Sequence, residues 1–188
     1  MQNEKINILV STFGEQKRWV NWKYEKDDKG KDTKVPYQIN GIDKAITTNP
    51  LTWSTYENVR NASSNLGIVF TPDQLLLGID IDHCLEGNEI AYEEEEKIEK
   101  LIKEANTYTE VSPSNTGLHL FLKLTAPLKL IANRKGSFEA YTSGRFFTVT
   151  NNPYKEALPV RTVAPDEAIA LLSIIGYPWG REVQQNGP

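Results

Sequence analysis

The chain has 188 residues, of which 39% are hydrophobic and 24% charged, and its formal net charge is −4. These values fit one globular domain, with room for an appended element, and exclude a disordered chain. Negative net charge gives no general attraction to nucleic acid, so such contact requires a local basic patch or bound metal. The single cysteine, Cys84, excludes an internal disulfide and suits a reducing cytoplasm. No apolar run reaches membrane-spanning length and no signal-peptide block is present, so no membrane partner is expected.

The first forty residues predict a short helix followed by a hairpin. Residues 5–13 form the helix, and residues 18–24 and 33–39 form two arms around the turn signal at 27–30. Pro36 cannot donate a ladder hydrogen bond, so the second arm is expected at a sheet edge.

Charged and aromatic residues follow in two clusters. Residues 26–34 are interpreted as a solvated hairpin tip, although Lys34 can instead point into a site. Residues 52–62 predict a helix, and its aromatic side chains, Trp53 and Tyr56, are interpreted as core rather than as a stacking platform.

The stretch 75–83, LLLGIDIDH, is an apolar strand that ends in two aspartates. Side chains alternate along a strand, so Asp80 and Asp82 share one face. Two carboxylates there repel each other, and a divalent cation would relieve the repulsion. The alternative is a strand end that runs into a solvated turn. With the strand at 66–70, this stretch predicts a hairpin over 66–82.

Two helices are expected around the remaining strands. Residues 90–105 follow the spacing of one buried face, and their acidic run, 93–96, is interpreted as a solvated surface rather than a metal cluster. Residues 151–164 are expected to be irregular, and residues 165–175 to form a helix that ends at Gly176.

A loop rich in hydroxyl groups, residues 112–117, leads into a clean strand at 118–124. Such a loop can offer backbone N–H groups to an anion. His119 stands at its exit, where it could donate to a phosphate. The alternative is an ordinary turn followed by a partly buried histidine.

Residues 137–141 and 145–150 flank a Thr-Ser-Gly turn and predict a hairpin. Glu139 does not suit its strand, so its carboxylate needs a cation, a basic partner or solvent. Arg145 opens the returning strand, where it could bind a phosphate or pair with a carboxylate.

Three ordered motifs together resemble the archaeo-eukaryotic primase superfamily, in particular the primase-polymerase (Prim-Pol) domain of phage and plasmid replication proteins. The motifs are DIDH at 80–83, SPSNTGLH at 112–119, and FEAY at 138–141 running on to GRFFTVT at 144–150. The upstream segment TKVPY at 33–37 also fits that branch. The resemblance covers about residues 18–152, and the ordered set is more specific than any one motif.

The resemblance implies an α+β fold of the archaeo-eukaryotic primase type. In that fold an RRM-like antiparallel sheet forms the catalytic core and an N-terminal α/β module accompanies it. Residues 1–164 would be the catalytic domain, and residues 165–188 a C-terminal helix with a frayed tail or linker.

By the same likeness, Asp80, Asp82 and Glu139 would be catalytic and would hold Mg²⁺ or Mn²⁺. The triphosphate of an incoming nucleotide would bind to a second set of residues: Ser114, Gly117 and His119, with positive charge added by Arg145 and Lys34.

The activity implied is template-directed nucleotidyl transfer by a DNA primase-polymerase, through two cations about 4 Å apart. Its partners would be a single-stranded DNA template, dNTP or NTP, and a helicase, fused or separate, in a cytoplasmic replication setting. A metal-dependent nuclease and an RRM-like nucleic-acid-binding module without catalysis are the alternatives. A rolling-circle endonuclease is disfavoured because the two histidines, His83 and His119, lie too far apart for its motif.

The sequence departs from the usual pattern of that branch at two positions. Asn115 and Asn151 stand where glycine is expected. Asparagine tolerates a positive φ better than most residues, so the loop shapes are expected to survive.

Overall fold

The computed structural model describes residues 8–73, 75–176 and 179–180. Within them the chain is α+β, with mostly antiparallel strands in a four-stranded sheet, a six-stranded sheet and a two-stranded ribbon. No helix of this described part is long and apolar enough to cross a membrane.

Four α-helices and twelve strands follow one another along the described chain. The helices are α1 (Ile8–Phe13), α2 (Tyr56–Ala62), α3 (Glu95–Ala105) and α4 (Pro165–Ser173). The strands are β1 (Trp19–Lys26), β2 (Asp32–Tyr37), β3 (Leu66–Phe70), β4 (Leu76–Ile81), β5 (Leu85–Glu86), β6 (Glu89–Ile90), β7 (Thr109–Val111), β8 (Leu118–Leu124), β9 (Arg134–Lys135), β10 (Phe138–Tyr141), β11 (Arg145–Val149) and β12 (Arg161–Val163).

The four-stranded sheet, called here the first sheet, has the order β11-β3-β1-β2 and is antiparallel throughout. The predicted hairpin of β1 and β2 is confirmed, and β2, which contains Pro36, lies at the sheet edge as expected. Trp53 is buried beside Val20 and Val69, so its interpretation as core is also confirmed.

The six-stranded sheet, called here the second sheet, has the order β12-β8-β4-β10-β9, and β7 pairs with β8 as well. Only β12 is parallel to its neighbour. Helices α3 and α4 bury their apolar residues in one cluster with the side chains on one face of this sheet. The other face carries the polar residues of β4, β8 and β10.

Both hairpins predicted in the middle of the chain are wrong. Strand β3 lies in the first sheet and β4 in the second, and β10 and β11 are divided in the same way. Period-two alternation identifies which residues share a face, but it does not identify the neighbouring strand. The described chain therefore crosses between the sheets three times, after Phe70, after Tyr141 and after Val149.

Three element boundaries also differ from the sequence prediction. Helix α2 begins at Tyr56, because the side chain of Thr55 caps it by accepting from the Asn58 N–H. Helix α3 begins at Glu95, since Ile90 belongs to β6. The segment expected to be irregular contains the short strand β12, which extends the edge of the second sheet.

The two sheets pack closely at Gly78 on β4. Phe70 and Phe147 of the first sheet meet there with ring centroids 4.7 Å apart. A Cβ atom on Gly78 would lie 2.3 Å from Phe70 Cζ and 2.6 Å from Phe147 Cε2. Two residues further along β4, at Asp80, a cleft lined by residues of both sheets begins.

Helix α4 contributes Ala168, Leu171 and Leu172 to the apolar cluster of the second sheet. The boundary between 164 and 165 stays a prediction. Residues 181–188, the largest part of the predicted frayed tail, lie outside the described residues.

Candidate metal and nucleotide site

A row of directly opposed residues crosses the second sheet. Glu110 on β7 lies opposite His119 on β8, and His119 lies opposite Asp80 on β4. On the other side of Asp80, Glu139 on β10 is its direct partner, and Arg134 on β9 is opposite Glu139. Directly opposed residues point to the same face of a sheet. Five acidic or basic side chains therefore lie in one line across the sheet. This line, called here the charged row, consists of Glu110, His119, Asp80, Glu139 and Arg134.

Three carboxylates meet at the centre of this row. Ligand oxygens of Asp80, Asp82 and Glu139 all lie within 4.8 Å of one another. Asp80 lies near the end of β4, and Asp82 directly follows that strand. Strand pairing brings Glu139 beside Asp80. The structure thus brings together the three carboxylates that the sequence singled out, although they are separated by up to 59 positions along the chain.

The chemistry of this carboxylate cluster fits a divalent cation. Asp80 Oδ1 is buried and lacks a regular hydrogen bond. The pKa of the Asp82 carboxyl is raised above its ordinary value by desolvation, and then by the charges of Asp80 and Glu139. Carboxylate oxygens are the ligands that Mg²⁺ and Mn²⁺ prefer, and a cation would offset this repulsion.

Of the partners that the sequence allowed for Glu139, namely a cation, a basic side chain or solvent, the structure shows a basic side chain. Its Oε1 accepts from Arg134 Nη2 at 2.9 Å, from Arg134 Nε at 3.1 Å and from the Tyr141 hydroxyl at 2.8 Å. Arg145 Nη2 lies 3.9 Å from the same oxygen. The Glu139 carboxylate is only 5% exposed, and these contacts account for its burial.

His119 is buried next to Asp80. Its Nε2 lies 3.3 Å from Asp80 Oδ1, and its Nδ1 lies 3.2 Å from the carbonyl oxygen of Thr148. The carbonyl oxygen of Thr148 only accepts, so Nδ1 is the ring nitrogen that donates to it, while Nε2 faces the carboxylate of Asp80. Burial would lower the pKa of His119, but contact with Asp80 and the charges of Asp80 and Glu110 raise it above its ordinary value.

The cleft above the charged row has a volume of about 890 Å³. Its acidic floor comes from β4 in the second sheet. Its basic wall comes from the first sheet and the adjoining loops, and consists of Lys31, Lys34, Lys44 and Arg145. Ser114 and His119 line the same cleft. Four predicted nucleotide-binding residues are therefore gathered in one cavity with Asp80 and Asp82.

The fifth predicted nucleotide-binding residue, Gly117, has a visible role in the shape of its loop. Its N–H donates to Ser112 Oγ at 3.0 Å, and a Cβ atom at this position would lie 2.9 Å from the carbonyl oxygen of Ile81. The expected positive φ is confirmed at Asn115, where it is 62°, and at Asn151, where it is 55°. Any contact between Gly117 and a nucleotide stays a prediction.

Sequence reasoning did not single out Glu110, Lys31 or Lys44 as site residues. Glu110 carries the same signal that identified Glu139, namely a carboxylate within a strand of otherwise suitable residues. The two lysines gave no such signal, because exposed lysines are common and only the approach of the two sheets brings these into the cleft.

Comparison with protein-family models finds no match. Among curated proteins, the chain is 33% identical over 154 residues to the DNA Primase-polymerase of Nitratiruptor phage NrS-1. The alignment covers 77% of this chain and 20% of the phage protein, so the chain spans about a fifth of the length of this relative. With this identity over most of its own length, the chain belongs to the primase-polymerase (Prim-Pol) family.

Proposed function

We propose that this chain is the catalytic domain of a primase-polymerase, which synthesises or extends DNA on a single-stranded template. The observation that carries the proposal is the cluster of Asp80, Asp82 and Glu139, within 4.8 Å of one another. This cluster adjoins a cleft of about 890 Å³ with a basic wall. The phage relative, named a DNA Primase-polymerase, supports the same activity.

In the proposed reaction, a growing 3′-hydroxyl attacks the α-phosphorus of a nucleotide, a new P–O bond forms, and pyrophosphate leaves. Asp80, Asp82 and Glu139 would hold Mg²⁺ or Mn²⁺. Two bound cations would stabilise the attacking and leaving oxygens. The carboxylates themselves orient the site and keep its negative charge concentrated on the cleft floor.

The basic residues of the cleft have a separate role in this proposal. Lys34 and Arg145 bind the triphosphate, and Ser114 and the Gly117 loop shape the edge of its pocket. His119 donates from Nδ1 to the Thr148 carbonyl and faces Asp80 through Nε2, and when protonated it would add positive charge beside the phosphates. Positive groups placed where the leaving pyrophosphate gains charge favour bond breaking.

The finer architecture belongs to the same proposal. The second sheet would be the RRM-like core, and residues 1–164 the catalytic unit. The template would run along lysines of the 23–34 hairpin and along Arg134 and Lys135, which contact it through backbone phosphates. A helicase would act as a fused or separate partner.

A synthesis assay on single-stranded DNA tests the proposal, with and without a primer and with Mg²⁺ or Mn²⁺. The wild type should extend the primer, and Asp82→Ala should abolish the product. His119→Ala should weaken nucleotide use while binding of the DNA stays unchanged. Degradation without extension would identify a nuclease. DNA binding that survives EDTA, without synthesis under any condition, would identify a binding module.

A further inference from the structure

We propose that Glu110 is a positioning residue for the nucleotide site, a role that rests on the proposed function. From the side of His119 opposite Asp80, its carboxyl group would hold together the segments that fix the histidine ring against the cleft. Glu110 lies at the end of the charged row, one strand away from His119.

Glu110 is completely buried and must have partners inside the protein. The side chain of Glu110 is 0% exposed, and an ionised carboxylate is retained in such a place only with compensating partners. Three donors satisfy it: the Tyr108 hydroxyl at 2.8 Å and the N–H groups of Thr150 and Asn151 at 2.9 and 3.1 Å. Burial raises the pKa of the Glu110 carboxyl above its ordinary value, while the charge of His119 and these hydrogen bonds act in the opposite direction. The three donors hold the carboxyl group in one position beside the strand of His119.

The hydrogen bonds to Glu110 connect the two sheets. Thr150 and Asn151 directly follow β11, which belongs to the first sheet, whereas Glu110 belongs to the second. Thr148, two residues before Thr150, supplies the carbonyl that accepts from His119 Nδ1. Glu110 therefore ties β7, which pairs with the strand that carries His119, to the segment whose Thr148 carbonyl accepts from the ring of that histidine.

Asp80 and Glu110 lie on opposite sides of His119. Asp80 also contributes to the carboxylate cluster, so its charge is shared with any bound cation. Glu110 lies one strand further away, on the far side of His119. A buried partner at that place keeps the ring oriented when Asp80 is engaged by metal, in the manner of partners that orient metal-site histidines.

The test compares Glu110→Gln with Thr150→Val, a control that changes a residue at the same contact between β7 and the segment after β11. Thr150→Val removes the hydroxyl bond to the Val111 carbonyl, which is 2.6 Å long, and leaves the Glu110 carboxyl group intact. Thermal unfolding measures the structural cost of each change. Three further measurements are the Kd of a non-hydrolysable deoxynucleoside triphosphate with Mg²⁺, the Kd of Mn²⁺ alone, and KM and kcat for primer extension.

Glu110→Gln should raise the nucleotide Kd and KM by about tenfold, the lower end of the effect of losing such a partner. Mn²⁺ affinity and kcat should change by less than about threefold, and Thr150→Val should leave the nucleotide Kd within about twofold. Equal nucleotide affinities in the two variants, or an equal loss of Mn²⁺ affinity in Glu110→Gln, would reduce Glu110 to a structural role. A wild type that binds Mn²⁺ but neither binds nor incorporates nucleotides would overturn the proposed function, and this role with it.

Discussion

Asp82 illustrates the cost of a site residue at the scale of a single side chain. Its folded-state pKa is raised by desolvation and by the charges of Asp80 and Glu139, so the folded protein holds this proton more tightly than the unfolded chain does. Stability is therefore lost as the pH rises through that raised pKa. At neutral pH without metal, the ionised Asp82 destabilises the fold relative to a neutral side chain of the same shape.

Asp82→Asn should accordingly raise the Tm in EDTA at pH 7, by about 1–3 °C given the partial exposure of the group. The gain should vanish below the ordinary pKa of aspartate, where both side chains are neutral. Thermal unfolding between pH 3 and pH 8 measures it. Asp28→Asn, at the exposed tip of the β1–β2 hairpin, is the control and should change the Tm by less than about 1 °C. A pH-independent gain in Asp82→Asn would contradict the electrostatic cause.

At the scale of the element, β4 marks the limit of sequence reasoning. Alternation correctly placed Asp80 and Asp82 on one face, and an ill-suited carboxylate correctly drew attention to Glu139. The neighbours of β4 were predicted wrongly, because β3 follows the same local rules but pairs in the other sheet. Contacts between sheets, such as those at Gly78, decide this choice, and they depend on residues far apart in the chain.

Gly78→Ala tests how strongly this inter-sheet contact holds the site. The added methyl group would meet Phe70 Cζ at 2.3 Å, so overpacking should cost about 1–3 kcal/mol of the free energy of unfolding. Urea denaturation measures this cost. Phe70→Leu removes the nearest ring atom, so the double variant should be more stable than the sum of the two single changes predicts. Strict additivity would show that the methyl group is accommodated elsewhere.

At the scale of the whole molecule, the site is divided between the two sheets. The second sheet supplies the carboxylates of the floor, whereas the first sheet and its loops supply the basic wall. The net charge of −4 provides no overall electrostatic attraction for a triphosphate in the absence of bound cations. Cation and nucleotide should therefore bind with positive coupling, because each offsets charge that repels the other.

Thermal unfolding with Mn²⁺ alone, a non-hydrolysable nucleotide alone, and both together measures this coupling. With either ligand alone at about a hundredfold excess over its Kd, the Tm should rise by about 5–10 °C, and with both together it should rise by more than the two separate shifts combined. Replacing both Lys34 and Arg145 by alanine should remove most of the excess while the shift with Mn²⁺ alone persists, because all three carboxylates remain and Arg134 still donates to Glu139. Separate shifts that simply add would mean that floor and wall act independently, and that the cleft between the sheets does not bind cation and triphosphate as one unit.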